Sequence, residues 1–301
     1  MRSPMVMCYG AGVDSTAILV EFVRRNIRPD LILFADTGSE KPATYAYLDV
    51  MDAFLARHGF PQVTRVRRSD EVEQRVPDQS IEDEMVRLGT LPSLAFGRHT
   101  CSHKWKVVPQ EKFLARWALA QIAWAKSVPV TRVIGFDCSK QDSKRVSRTM
   151  AHDSAKYRSW FPLQDWGWDR DRCEQEIARE GLEVPVKSAC YFCPASKPWE
   201  LRALAKDSPE LLEKALEIED AVQEGGSSKH TLKADSSVAG LWRKQTWRSF
   251  VEAEGLLEIG PVEEWDFPTM TGKDVAEMDE ATFQRFLIAR QAWLRRRKAA
   301  A

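Results

Sequence analysis

The stretch Met7-Cys8-Tyr9-Gly10-Ala11-Gly12-Val13-Asp14-Ser15-Thr16-Ala17-Ile18-Leu19-Val20-Glu21-Phe22 decides how this chain is read. An apolar run ending at Tyr9 stops at a turn of small residues, and a helical spacing of apolar residues begins at once after it. Small residues let backbone N–H groups approach an anion, and the positive end of the following helix favours negative charge there. The turn from Gly10 to Ser15 is therefore expected to hold a phosphate.

Outward from this turn, apolar runs over residues 5–9, 31–35, 63–67 and 130–136 read as strands, and residues 16–25 and 44–58 show helical spacing. Strand alternating with helix predicts an α/β fold with a parallel sheet covered on both faces. Ligands bind such sheets at the carboxyl ends of the strands, which gathers the loops at 10–15, 36–41 and 137–145 on one edge. From about residue 169 the pattern turns helical, over 172–180, 209–223, 238–254 and 281–298, with Gly225-Gly226-Ser227-Ser228 as a joint. The expected organisation is an α/β domain over 1–168 and a helical region over 169–301 that carries Cys190 and Cys193.

The chain has 301 residues, enough for a full core, and its 44 basic residues balance 44 acidic ones, so net charge gives no sign of nucleic-acid binding. The basic end Arg295-Arg296-Arg297-Lys298 reads as a solvated helix terminus. No charged leader with an apolar stretch and no run of transmembrane length is present, so a soluble cytoplasmic protein without membrane contact is expected. Six cysteines are too few for a disulfide scaffold of this size, which points any clustered thiols toward thiol chemistry or metal binding.

Three phosphate loops compete for the opening turn. A Walker A loop needs a Lys-Ser/Thr pair after its glycines, and none follows. A dinucleotide fingerprint would use Gly10, Gly12 and Asp36, but Ser15 stands where its third glycine belongs. The PP-loop of the N-type ATP pyrophosphatases, S-G-G-x-D-S, matches Gly12-Val13-Asp14-Ser15, with Gly10 and Ala11 replacing its first two residues.

Further segments carry a resemblance to one branch of that superfamily, the phosphoadenosine phosphosulfate (PAPS) reductase-like proteins. Asp36-Thr37-Gly38-Ser39-Glu40-Lys41-Pro42-Ala43-Thr44 resembles the branch's D-T-G segment, and Cys101-Ser102-His103-Lys104-Trp105-Lys106-Val107-Val108-Pro109 its C…K..P segment. Gly135-Phe136-Asp137 followed by Asp142-Ser143 and Arg145 is similar to its G.R..ES..R loop, with Phe136 in place of arginine. Phe161-Pro162-Leu163-Gln164-Asp165-Trp166 is similar to its P-L-x-D-W segment. The ordered matches run from residue 8 to residue 194 and leave the last hundred residues uncovered.

The resemblance implies an adenine nucleotide α-hydrolase-like fold that binds ATP with Mg²⁺ and cleaves it between the α and β phosphates, leaving an adenylated acceptor and pyrophosphate. It implies a cofactor-binding set of Tyr9, Gly10, Ala11, Gly12, Val13, Asp14, Ser15, Asp36, Thr37, Gly38 and Gly135. Asp14 and Ser15 would act in catalysis, with Lys104, Lys106 and Arg145 as cations near developing phosphate charge.

The thiols bear on which branch applies. Cys8, Cys138 and Cys173 are isolated and read as packing residues. Cys190-Tyr191-Phe192-Cys193 admits a redox dithiol, which would want a thioredoxin-like context; a structural zinc site completed by Cys101 and His99 or His103; or an iron–sulfur cluster. In sulfur-transferring relatives three cysteines hold a 4Fe–4S cluster, and Cys101, Cys190 and Cys193 match that arrangement. PAPS reductases use a nucleophilic cysteine near the C-terminus, and no cysteine follows Cys193 here. The closer resemblance is to DNA-phosphorothioation sulfurtransferases of the DndC type and to cluster-dependent tRNA thiolases.

The function so implied is ATP-dependent sulfur transfer to an acceptor such as DNA or RNA, with a sulfur donor such as a cysteine desulfurase. Two alternatives stand beside it: a pyrophosphatase ligase with structural zinc, and a non-catalytic nucleotide-sensing subunit of a defence complex. Trp242-Arg243-Lys244-Gln245-Thr246-Trp247-Arg248-Ser249-Phe250 interleaves aromatics with cations, as single-strand binders do, but its spacing also fits aromatics packed into a core, the reading preferred here.

Overall fold

The computed structural model describes residues 1–71, 78–98, 100–223 and 238–257. The helix expected over 281–298, the joint at 225–228, the basic end at 295–298 and His99 lie outside the described residues. Strands β1 (Met5–Cys8), β2 (Leu31–Asp36), β3 (Val63–Arg67), β4 (Val130–Ile134) and β5 (Tyr157–Trp160) form an entirely parallel sheet in the order β3-β2-β1-β4-β5. The fold is α/β, as the alternation of periods predicts.

Strands β1 and β2 are apolar because helices cover both faces of the sheet, and every residue of β2 is buried. β5 was not foreseen: Tyr-Arg-Ser-Trp on the sheet edge is half exposed and shows no apolar run. β4 ends at Ile134 rather than at Phe136, because the chain turns there and Phe136 stacks on Phe161 with ring centroids 5.6 Å apart.

Around the sheet run α1 (Val13–Arg24), α2 (Pro42–Arg57), the short α3 (Arg68–Glu71), α4 (Ile81–Leu88), α5 (Thr100–Ser102), α6 (Val108–Arg116) and α7 (Ala118–Ala125). Then come α8 (Lys140–Met150), α9 (Pro162–Trp166), α10 (Arg170–Arg179), α11 (Pro198–Asp207), α12 (Pro209–Gln223) and α13 (Trp247–Glu254). One core joins Met7, Ile32 and Phe34 to Ile18, Phe22, Leu48, Met51 and Phe54. The other face buries Val6, Leu33 and Ala35 with Leu114 and Ala120. Each fully buried Leu, Ile or Phe contributes about 1.5–3 kcal/mol.

Helix α1 is buried nearly all round, because the sheet covers one side and α10 the other. Cys173 and Ile177 of α10 are fully buried in the sheet core, and Glu176 accepts from Arg24 at 2.6 Å. The sheet core thus reaches past residue 168. A second core unites α4, Trp105, Tyr191 and Phe192 with α11, α12 and α13.

Within that second core Trp247 is fully buried and Trp242 is half-buried, its indole N–H donating to the Ser196 carbonyl at 2.7 Å. The aromatics at 242–250 pack inward, as their spacing indicates, and the helix at their end begins at Trp247 rather than at 238. Glu219 orders the approach: its buried carboxylate accepts the backbone N–H groups of Leu241 (2.7 Å), Trp247 (2.9 Å) and Arg248 (2.9 Å). A buried donor left without its acceptor costs about 1–3 kcal/mol. Glu219→Ala should therefore lower stability by about 2–4 kcal/mol in urea denaturation, and Glu219→Gln by less; an unchanged midpoint would mean water satisfies these groups.

Candidate functional site

The sheet order reverses at β1, which has β2 on one side and β4 on the other, so the loops after β1 and β4 flank a crevice at the strands' carboxyl ends. The first loop is braced from within. Ser15 Oγ accepts from Gly10 N–H at 3.3 Å and donates to the Gly12 carbonyl at 3.1 Å, while Thr16 N–H closes the first helical bond to Gly12. Gly12 is the N-cap of α1, with no side chain capping that turn. Ala11 takes a left-handed φ of 53°.

Three expected contributors turn their side chains away. Tyr9, Ala11 and Val13 are buried in the sheet core, and Tyr9 Oη meets Thr16 Oγ1 at 3.2 Å, so only their backbone can line the loop. Gly135 sits directly against the loop: a β-carbon there would stand 2.9 Å from the Ser15 nitrogen and 3.1 Å from the Asp14 carbonyl carbon. Only glycine allows this approach.

The loop after β2 is organised by Asp36. Its carboxylate accepts from Gly38 N–H (2.8 Å), Tyr45 Oη (2.7 Å) and Arg67 Nε (2.7 Å), which occupies it within the chain. Gly38 has φ of 71°, and a β-carbon there would lie 2.7 Å from Ser80 Cβ. Thr37 Oγ1 reaches both Glu40 Oε1 (3.2 Å) and Cys190 Sγ (3.4 Å).

That last contact is made because the segment leading into Cys190 lies across both loops. Glu40 and Cys190 form an antiparallel bridge, with Lys41 N–H donating to Ala189 (3.3 Å) and Tyr191 N–H to Ser39 (3.0 Å). Two residues earlier Ser188 Oγ stands over the glycine turn, 3.2 Å from where a β-carbon of Gly12 would be. Buried Glu200 anchors the strap by accepting from Lys41 (2.9 Å) and Lys187 (2.8 Å). Ser188, Glu200 and the strap carry no signal in the sequence beyond the small pair Ser188-Ala189 directly ahead of the C-x-x-C.

Cys190 and Cys193 are joined by a turn, Cys193 N–H to the Cys190 carbonyl at 3.0 Å. Burial pushes both thiols up, and for Cys193 the nearby charge of Cys101 adds to the effect. Cys101 and Cys190 pack against the same apolar wall, and all three thiols are free. Among the described residues, however, no group of three Cys, His, Asp or Glu side chains stands in ligating geometry. The thiols share a neighbourhood without forming a closed ligand set, and His103 is exposed. By donor type the trio suits a thiolate-bound cluster or zinc.

The expected cations divide. Lys104 is tied to Glu84 on α4, which also accepts from Trp105 Nε1 at 2.6 Å, so it belongs to the second core rather than to the loop. Lys106, on the π-helical turn His103–Val107, pairs with fully buried Glu40 at 2.7 Å. Burial opposes its charge, but Glu40 and the thiols of Cys190 and Cys193 outweigh this and hold the ammonium firmly protonated. Arg145 pairs with Asp142 at 2.8 Å and stacks 4.1 Å over Phe136, beside the loop after β4.

Asp14 is the most perturbed acid of the site. Burial pushes it up to about 6, Arg170 opposes this, and the charges of Asp137 and Asp142 add to the rise. Cys8, Cys138 and Cys173 stand apart from the trio: Cys173 is in the sheet core, Cys138 donates to the Leu163 carbonyl at 3.3 Å, and burial raises Cys8 to about 11. No protein-family model matches this chain, and no curated protein matches it.

Two outcomes follow from this geometry. Gly135→Ala must push β4 off the loop, at a cost of about 1–3 kcal/mol in thermal denaturation; a wild-type melting temperature would show that the loop gives way freely. Folded Asp14 holds its proton to higher pH than the unfolded chain does, so its contribution is present at low pH and is lost as pH rises from about 4 through about 6. Asp14→Asn should abolish that loss and raise stability at pH 7.5 by about 1–2 kcal/mol relative to its effect at pH 4.5; an unaltered pH slope would contradict it.

Proposed function

We propose that this chain is an ATP pyrophosphatase of the PP-loop type that activates an acceptor by adenylation and then directs sulfur to it. The observation that carries the reading is the strap: residues 188–190 cross the glycine turn and bridge to Glu40, so the C-x-x-C adjoins the phosphate loop. A phosphate loop beside thiols suits a two-stage reaction. An acceptor oxygen attacks the α-phosphorus of ATP, pyrophosphate departs, and the acceptor is left with AMP as a good leaving group. A sulfur nucleophile then displaces AMP.

In this reading the turn from Gly10 to Ser15 and the first turn of α1 receive phosphate oxygens. Thr37 and Gly38 border the nucleoside, while Asp36 holds their loop in shape. Mg²⁺ accompanies the phosphates, and Arg145 offsets charge on the departing side. Cys101, Cys190 and Cys193 would hold a 4Fe–4S cluster, which supplies soft iron suited to handling sulfide, with Lys106 offsetting the thiolate charge. A cysteine desulfurase is a suitable sulfur donor, and DNA or RNA a suitable acceptor. Lys104 is given no part in catalysis.

The test is product analysis with metal analysis. ATP turned over with candidate acceptors should yield AMP and pyrophosphate; ADP and phosphate would overturn the reading, and ATP binding without cleavage would favour a sensing subunit. Protein purified anaerobically should contain iron that falls by most of its content in Cys101→Ser, Cys190→Ser and Cys193→Ser, while Cys138→Ser leaves it in place. Zinc in place of iron would favour the ligase alternative.

A further inference from the structure

Arg170 lies outside every segment that carries the family resemblance, yet it reaches the phosphate loop. It opens α10, whose N-cap Asp169 accepts from Arg172 N–H at 2.9 Å, and α10 is tied to α1 where buried Glu176 accepts from Arg24 at 2.6 Å. From there Arg170 Nη1 contacts Asp14 Oδ1 at 2.9 Å, in the first turn of α1. The Arg170 side chain is 44% exposed, so it meets both the loop and the solvent that a ligand would displace.

The charges around the loop explain why an arginine is held there. Asp14, Asp137 and Asp142 act on one another across the crevice, and Arg145 and Arg170 are the cations that answer them. Arg145 pairs with Asp142 at 2.8 Å, and Arg170 pairs with Asp14 at 2.9 Å and, at the longer distance of 4.0 Å, with Glu174 of its own helix. Burial is what raises Asp14, and Arg170 opposes that rise. The pair is partly open to solvent, with 44% of the Arg170 and 19% of the Asp14 side chain exposed, which limits what it contributes as a structural tie. A guanidinium prefers the forked oxygens of a phosphate, and an ion-paired arginine at the mouth of an anion site can exchange a carboxylate for one.

We infer that Arg170 is a phosphate-binding residue of this site, which exchanges its pairing with Asp14 for the nucleotide's phosphates on binding. The inference rests on the nucleotide reading above and adds a cation to it from the helical side. Arg170 acts by positioning the phosphates, and the exchange releases the Asp14 carboxylate from its partner.

Equilibrium binding of α,β-methylene-ATP with Mg²⁺, and of adenosine, to wild type, Arg170→Gln, Arg170→Lys, Asp14→Asn and the double variant tests it. Removing one charged hydrogen-bond donor should weaken α,β-methylene-ATP about tenfold to a hundredfold in Arg170→Gln and leave adenosine unchanged. Arg170→Lys should recover part of the loss. If Arg170 serves only to neutralise Asp14, the double variant will bind like Asp14→Asn alone; under the inference it keeps the Arg170→Gln loss. Wild-type binding by a folded Arg170→Gln protein, or rescue in the double variant, overturns the inference alone. Failure of the wild-type protein to bind either ligand overturns the nucleotide reading as well.

Discussion

Two backbone hydrogen bonds, Lys41 N–H to Ala189 and Tyr191 N–H to Ser39, join the sheet edge to the helical second core. They put Cys190 beside Thr37 and fix where Ser188 lies above the glycine turn. Without that bridge the C-x-x-C would be a surface turn of the second core, with no relation to the crevice at β1 and β4. The bridge in turn requires Gly38, whose left-handed φ swings residues 39–41 outward to meet the strap.

Side-chain charge reinforces the bridge where it would otherwise open. Glu200 is buried and shared between Lys41, on the sheet side, and Lys187, on the strap, with Lys197 N–H as a third donor at 3.0 Å. A lone buried carboxylate would be costly, and these donors hold it below the usual range despite its burial. Glu40 faces a harder compromise. Its Oε1 is satisfied by Lys106 and Thr37, while Oε2 is buried without a partner. Such an unpaired atom beside the thiols is a cost the fold accepts at its candidate site.

The part of this molecule that its sequence discloses is the part governed by local periodicity. Four of the strands, α1, α2 and α12 can be read from apolar spacing, because burial on both faces or one face leaves a period in the chain. The glycine turn was legible for the same reason: strand, small residues and helix follow one another directly. β5 was illegible because an edge strand buries too little to show a pattern. Arg170 and Ser188 were illegible because nothing near them in sequence reports which loop they meet. Lys104 and Lys106 part company, Lys106 turning to Glu40 beside the thiols and Lys104 to Glu84, as residues two apart on a helical turn do; which of the two faces the thiols is set by tertiary packing that the motif does not show.

The two margins of the sheet bear on a different matter, the behaviour of many copies of the chain in one solution. A parallel sheet ends in two open ladders, each able to recruit a strand from another molecule. Here both margins are short, four residues in β5 and five in β3, and each carries exposed arginine: Arg158 on one, Arg65 and Arg67 on the other. An incoming strand would have to bury those guanidinium groups and would find few ladder bonds in return. The same weak patterning that hides β5 from the sequence reader thus guards the molecule against edge-to-edge aggregation.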